Sequence, residues 1–271
     1  MTSTYVVGDV HGLPGKLIPL LADAGLVDPG GMWGSGPLWR GGRAALWFLG
    51  DLCDRGPSGI AVIMLVRRLQ REAAAVGGQV EALLGNHDVL LVAAAAFGAE
   101  SPDGRESFRA AWRRNGGVDS DLAGLTPHLA AWLATRPAMS HAGDALLVHA
   151  DALFYEEYGD SVPAVNAGIR AVLAGRDPAA WDRLLDRFSQ RRAFDSSREG
   201  GTERATAFLA RYGGRRIVHG HTPIATVTGQ SPATVHAPLV YADGLCANCD
   251  GGMYRGGPGF VYRLPDSAPG G

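Results

Sequence analysis

The stretch "GDLCDRGP", residues 50–57, directly follows the apolar run "AALWFL" of residues 44–49. A short apolar run bounded by glycine predicts a buried β-strand. Asp51, Asp54 and Arg55 stand immediately behind that strand. Charged side chains at the end of a buried strand are costly unless they are paired or bound to a metal ion. We therefore expect the end of this strand to carry a site that requires carboxylates.

The same pattern recurs along the chain and predicts an α/β fold. Short apolar runs end in Gly, Asp, Asn or His at residues 4–9, 44–51, 79–88, 144–151 and 215–223. Residues 13–25 and 58–75 lie between such runs and have leucines and other apolar residues at helical spacing. In open α/β sheets ligands bind at the carboxyl ends of the strands. The five strand ends are therefore expected to point at one place.

The side chains at these strand ends form a mixed oxygen and nitrogen donor set. Its members are Asp9, His11, Asp51, Asn86, His87, His149 and His221. Such a set suits Mn²⁺, Fe²⁺ or Zn²⁺ better than Ca²⁺ or a thiolate site. Two carboxylates ~4 Å apart repel by ~4 kcal/mol at an effective dielectric constant of ~20, so bound cations would explain their presence.

Length and composition favour one globular domain. The chain has 271 residues, 46% of them hydrophobic, and a formal net charge of −2. This balance gives no electrostatic reason to expect a nucleic acid polymer or a membrane surface as partner. We expect a single catalytic domain over residues 1–264, a helical cap or flanking segment over 101–137, and a disordered tail over 265–271. With no signal peptide or membrane span recognised in the sequence, a cytoplasmic location is expected.

The motifs in order are "GDVHG" (8–12), "GDLCDRG" (50–56), "GNHD" (85–88), a later His and "GHT" (220–222). In this order they resemble the bacterial PPP-type serine/threonine phosphatases of the calcineurin-like metallophosphoesterase superfamily. The resemblance covers residues 8–223. It implies a central β-sandwich of two mixed sheets with helices on both outer faces.

The resemblance also implies a role for each site residue. One divalent ion would be held by Asp9, His11 and Asp51, with Asp51 bridging to a second ion held by Asn86, His149 and His221. Manganese is expected, with iron or zinc as alternatives. His87 would be the general acid with Asp54 as its partner, and the phosphate would be bound by Arg55, Asn86 and a further arginine from "FSQRRAF" (188–194). Arg192 is chosen for that arginine, with Arg191 as the alternative.

Three functions fit this pattern. The first is hydrolysis of phosphomonoesters by a metal-bridging hydroxide that attacks phosphorus, on a phosphorylated protein or a small phosphoester. The second is symmetrical hydrolysis of dinucleoside tetraphosphates or other nucleotides. Asp88 after "GNH" favours the second function, whereas the intact Asp54 and the threonine of "GHTP" favour the first. The third is an inactive metal-binding scaffold, and the presence of His87, Asp54 and Arg55 argues against it.

Cys246 and Cys249 form a "CANC" pair that could bind metal or act in redox chemistry. The glycine-rich sequence that follows does not open a helix, as a thioredoxin-like pair would. A local packing role is the expected one.

Overall fold

A computed structural model of the chain describes residues 3–30 and 38–265. Within these ranges there are nine strands: β1 (Thr4–Val7), β2 (Ala45–Phe48), β3 (Gln79–Ala82), β4 (Met139–Ala142), β5 (Ala145–Val148), β6 (Arg216–His219), β7 (Leu239–Tyr241), β8 (Cys246–Asn248) and β9 (Tyr262–Arg263). The α-helices are α1 (Pro14–Asp23), α2 (Gly59–Ala75), α3 (Asn86–Phe97), α4 (Phe108–Arg114), α5 (Asp119–Gly124), α6 (Pro127–Ala134), α7 (Val162–Ala174), α8 (Pro178–Phe188), α9 (Gly201–Tyr212) and α10 (Ile224–Thr228).

The strands form two mixed sheets. The first has the order β3-β2-β1-β9, with β1, β2 and β3 parallel and β9 antiparallel to β1. The second has the order β4-β5-β6-β8-β7, in which β5, β6 and β8 are parallel and the two outer strands are antiparallel. The carboxyl ends of the parallel strands lie at one edge of each sheet, as the strand-end pattern requires.

Apolar side chains on both faces of the strands explain why the two sheets stack on each other and also pack against helices. Trp47 of β2 belongs to a cluster that includes Leu147 of β5 and Val218 of β6, so it lies between the two sheets. Its neighbours Leu46 and Phe48 belong to the larger cluster, which includes apolar residues of α1 and α2. Successive side chains of a strand point to opposite faces, so one strand contributes to both layers. The prediction of an α/β fold with a central sandwich of two mixed sheets and outer helices is confirmed.

Several elements differ from the sequence prediction. The strand expected over 79–88 ends at Ala82, and "GNHD" instead provides the first turn of α3. Strands β4 and β8 were not predicted, and β9 closes the first sheet beside β1. Residues 101–137 are largely helical as expected, and their helices α4, α5 and α6 all contact α3. The single-domain assignment stays a prediction.

Cys246 and Cys249 are both buried and unpaired, but they belong to different hydrophobic clusters. Their side chains therefore pack on opposite sides of the second sheet, consistent with a packing role. The tail predicted over 265–271 lies outside the described residues from position 266 onward. No helix in the described part of the chain is long and apolar enough to cross a membrane.

Candidate active site

Loops behind β1 and β2 bring three predicted ligands together. The Nε2 atom of His11 lies 3.7 Å from Oδ2 of Asp9 and 3.6 Å from Oδ2 of Asp51. All three side chains are at most 2% exposed. The Nδ1–H of His11 donates a hydrogen bond to the carbonyl oxygen of Cys53, 3.0 Å away. This contact turns Nε2 toward the two carboxylates, as is usual for metal-binding histidines.

A second group of predicted ligands shares Asp51 with the first. Oδ1 of Asn86 lies 3.0 Å from Nε2 of His149 and 2.9 Å from Nδ1 of His221. Oδ1 of Asp51 lies 3.5 Å from Nε2 of His149. One carboxylate oxygen of Asp51 therefore faces each group. The structure thus brings together all six residues that were predicted to bind metal.

The chemistry of these groups fits divalent cations. The Nε2 atom of His11 is buried and has no hydrogen-bond partner among the residues that the structure describes. Burial, together with neighbouring carboxylates, raises the pKa of Asp9 and Asp51 well above the usual range. Burial also lowers the pKa of His149 to about 3, so its imidazole is neutral and free to donate a lone pair. Cations between these side chains would offset the cost of ionised, buried carboxylates.

Close approach of the strand ends explains the glycines of the motifs. A Cβ atom on Gly85 would lie 2.2 Å from the backbone nitrogen of Asp51 and 2.3 Å from its Oδ1. A Cβ on Gly220 would lie 2.4 Å from Oδ1 of Asp9. Only a residue without a side chain leaves room for the carboxylates at these two positions.

Backbone strain is concentrated among the predicted site residues. Positive φ angles of 47° to 69° occur at His11, Asp51, Asp54, Arg55, Arg192 and His221. Such angles are uncommon outside glycine and cluster at functional sites. The surrounding contacts must therefore hold these loops in place.

His87 and its predicted partner form a hydrogen-bonded pair beside the first group. Nδ1 of His87 lies 2.9 Å from Oδ2 of Asp54, and its Nε2 accepts from the guanidinium of Arg55 at 2.9 Å. Burial, together with the positive charges of Arg55 and Arg191, lowers the pKa of His87 to about 3. A phosphate dianion that engaged Arg55 would release Nε2 and favour the protonated imidazole.

The two candidate arginines of "FSQRRAF" point in different directions. The guanidinium of Arg192 is paired with the Asp195 carboxylate, so the structure does not bring it to the other site residues. The charge of Arg191 instead acts on His87, His149 and His221, lowering the pKa of each. The geometry favours Arg191 over Arg192 as the second phosphate ligand, and the role itself stays a prediction.

Sequence reasoning did not assign a role to several residues that support the site. Asp88 is fully buried, and its carboxylate accepts from the backbone N–H groups of Asp51, Leu52 and Gly85. It ties the loop after β2 to the start of α3. The ring of Tyr254 stacks against the guanidinium of Arg55, with 4.1 Å between the ring centre and Cζ of Arg55. Asp88 stands inside a quoted motif, whereas no local pattern marks Tyr254.

Fold and site together define a class of protein. Residues 2–225 match the calcineurin-like phosphoesterase family, and the chain belongs to that family. That family is named for phosphoester chemistry. Members of this family typically use a dinuclear divalent metal centre, for which the two groups that share Asp51 provide candidate ligands.

Two curated relatives are similar to this chain over about two thirds of its length. The chain is 31% identical over 196 residues to a protein of Acidovorax sp. (strain JS42) named symmetrical bis(5'-nucleosyl)-tetraphosphatase; the match covers 67% of this chain and 59% of the relative. It is 32% identical over 193 residues to the Bordetella parapertussis protein of the same name, covering 66% and 58%. The chain therefore spans less than two thirds of these relatives' length.

Solved structures share the fold at lower sequence identity. A cold-active protein tyrosine phosphatase aligns with a TM-score of 0.70 at 21% identity, covering 97% of this chain and 74% of that chain. At this identity the likeness concerns the fold alone.

Proposed function

We propose that the protein hydrolyses dinucleoside tetraphosphates symmetrically, releasing two nucleoside diphosphates. The observation that carries the proposal is the similarity to relatives of that name over about two thirds of the chain. The expectation of a PPP-type protein serine/threonine phosphatase receives less support, because these relatives are named for a nucleotide substrate. The alternative of an inactive scaffold is set aside, since the chain belongs to a family of hydrolases.

The two predicted ligand groups fit two divalent ions. Asp9, His11 and Asp51 would hold one, and Asp51, Asn86, His149 and His221 the other. When bound, such ions lower the pKa of water and stabilise negative charge on phosphoryl oxygens. Manganese as the ion, and the cytoplasm as the location, stay predictions.

The remaining site residues would orient the substrate and move a proton. Arg55 is exposed and lies beside His87, so its guanidinium can hold phosphoryl oxygens next to that imidazole. Arg191 adds positive charge close enough to act on His87 and His221. His87 would protonate the leaving phosphate oxygen, and Asp54 would hold the imidazole at Nδ1.

A cavity beside the second ligand group offers room for the rest of the substrate. It has a volume of about 200 Å³, and Asn86, Leu90, Phe108 and Ser189 line it among other residues. Asn86 is also a predicted metal ligand, so the cavity opens directly beside the candidate metal centre. A nucleoside diphosphate leaving from that centre could extend into this space.

The test is product analysis with diadenosine tetraphosphate. Purified protein with Mn²⁺ is incubated with the substrate, and nucleotides are separated by ion-exchange chromatography. ADP as the sole nucleotide product is expected. ATP with AMP, or no nucleotide release by a preparation that hydrolyses 4-nitrophenyl phosphate, would contradict the proposal.

A matched variant ties the activity to the described site. His87→Asn should lower turnover by ~10²–10⁴-fold, because general acid catalysis contributes about that much. Metal content measured by inductively coupled plasma mass spectrometry should be unchanged. Loss of metal in this variant would show that His87 is a metal ligand instead.

A further inference from the structure

The indole of Trp112 reaches the site from helix α4. Trp112 is fully buried, and its Nε1–H donates to Oδ1 of Asp54 at 2.7 Å. The other carboxylate oxygen of Asp54 contacts Nδ1 of His87 at 2.9 Å. Both oxygens of one buried carboxylate are therefore occupied, and Trp112, Asp54 and His87 form a continuous hydrogen-bonded chain.

The segment around Trp112 holds the backbone of Asp54 as well as its side chain. The N–H of Asp54 donates to Oδ2 of Asp121 at 3.2 Å, and the N–H of Arg55 donates to the carbonyl of Gly116 at 2.7 Å. Asp54 and Arg55 both have positive φ angles, 64° and 65°. Contacts from residues 112–121 thus fix two strained residues of the site, and the flanking segment is part of the catalytic apparatus.

The position of the indole is itself constrained. A Cβ atom on Gly117 would lie 2.2 Å from two atoms of the Trp112 ring. The ring therefore packs directly on the backbone of Gly117. Because Trp112 has no exposed surface, it cannot swing away from Asp54 without disturbing the core.

The chemistry of the leaving group indicates the function of the hydrogen bonds that link Trp112, Asp54 and His87. A nucleoside diphosphate is a weak base and leaves from an anhydride with little help from an acid. An alcohol leaves as a strongly basic alkoxide unless a general acid protonates its oxygen in the transition state. The Asp54 carboxylate orients the imidazole of His87 through Nδ1, and the hydrogen bond from Trp112 holds that carboxylate in place. This arrangement is useful mainly for poor leaving groups.

We propose that Trp112 is a positioning residue: it holds Asp54 against His87 and thereby sets how fast phosphomonoesters with basic leaving groups are hydrolysed. In this step a water oxygen forms a bond to phosphorus while the bond from phosphorus to the alcohol oxygen breaks. The alcohol oxygen takes a proton from Nε2 of His87, and the proton lost by the attacking water restores His87. The products are the alcohol and inorganic phosphate. The inference rests on the proposed role of His87 but not on a dinucleotide substrate.

The test compares leaving groups rather than overall activity. Wild type and Trp112→Phe are assayed with Mn²⁺ on 2,4-dinitrophenyl, 4-nitrophenyl and phenyl phosphate and on glycerol 2-phosphate. We expect kcat/KM of Trp112→Phe to fall by ~10-fold or more for phenyl phosphate and glycerol 2-phosphate, and by less than about 2-fold for 2,4-dinitrophenyl phosphate. The loss should appear in kcat rather than KM.

Trp181→Phe is the matched control. Trp181 is 2% exposed, and its Nε1–H donates to the carbonyl of Gly175 at 3.1 Å, so the same buried hydrogen bond is lost away from His87. In this variant kcat/KM should change by the same factor for all four substrates. If Trp112→Phe does not fold, Gly117→Ala provides a second test, because its Cβ displaces the indole. It should show the same dependence on the leaving group.

Two results would overturn the inference: an equal loss on all substrates in both Trp112→Phe and Gly117→Ala, or wild-type protein that hydrolyses no alkyl or aryl phosphomonoester. Diadenosine tetraphosphate is assayed in parallel. A preparation that leaves this dinucleotide intact but shows the dependence on the leaving group would refute the proposed function and support the role of Trp112.

Discussion

Gly85→Ala is expected to disable the site by moving one carboxylate. Gly85 begins the "GNHD" motif and has a φ of −99°, an angle that alanine tolerates. The added Cβ would instead meet the backbone nitrogen of Asp51 at 2.2 Å and its Oδ1 at 2.3 Å. The substitution therefore acts through steric overlap with Asp51 and not through backbone strain at residue 85.

The expected losses of stability and turnover follow from these distances. Real Cβ atoms essentially never approach other heavy atoms within 3.0 Å, so Asp51 or Gly85 must move by about 1 Å. Overpacking of this kind costs about 1–3 kcal/mol of folding free energy. A displacement of about 1 Å at a reacting centre can lower turnover by ~10²-fold. Since Asp51 faces both ligand groups, binding of both ions should weaken.

Three measurements on one preparation check this prediction. They are urea unfolding, metal content after dialysis, and turnover of 4-nitrophenyl phosphate. Gly15→Ala is the control, because a Cβ at Gly15 meets nothing within 4 Å. The control should be as stable and active as wild type. Wild-type turnover and metal content in Gly85→Ala would refute the assignment of Asp51 as a shared ligand.

Three further predictions follow from the site. Arg191→Ala should lower kcat/KM for phosphate esters by ~10-fold or more, whereas Arg192→Ala should change it by less than about 3-fold, because the latter side chain is already paired. His11→Ala should retain about half of the metal bound by wild type in mass spectrometry, and the control His141→Ala, at an exposed position, should retain all of it. Burial raises the pKa of Asp54 from 3.8 to about 7, so the ionised form destabilises the metal-free fold and stability is lost as pH rises through that range. Urea unfolding should therefore show Asp54→Asn gaining stability relative to wild type between pH 5 and pH 8; a difference independent of pH would contradict this.

Much of the fold could be predicted because its signals are local. The runs at 44–49 and 215–219 are short, apolar and bounded by glycine or charge, and the structure has β2 and β6 within them. Strand β8 was missed because its sequence "CAN" has no alternation and only three residues. Its strand character comes from pairing with β6 and β7, which no local pattern reveals.

Some residues of the candidate site could likewise be predicted from local sequence, and others depend on the tertiary structure. Asp51 and His221 lie in recognisable motifs directly behind strands, so their approach could be predicted from topology. Arg191 and Arg192 are adjacent in sequence, and only the loop conformation, with a positive φ at Arg192, decides which of them faces the histidines. Trp112 acts across 58 positions of sequence, and an isolated tryptophan in a helical segment most often belongs to a core.

The wide spread of the ligands along the chain bears on how the protein is made. Asp9 is synthesised before His221, and His221 emerges only after both sheets have most of their strands. A nascent chain that ends before β6 would still hold the carboxylates but would lack an imidazole for the second ion. Cation uptake should therefore coincide with late tertiary assembly during biosynthesis.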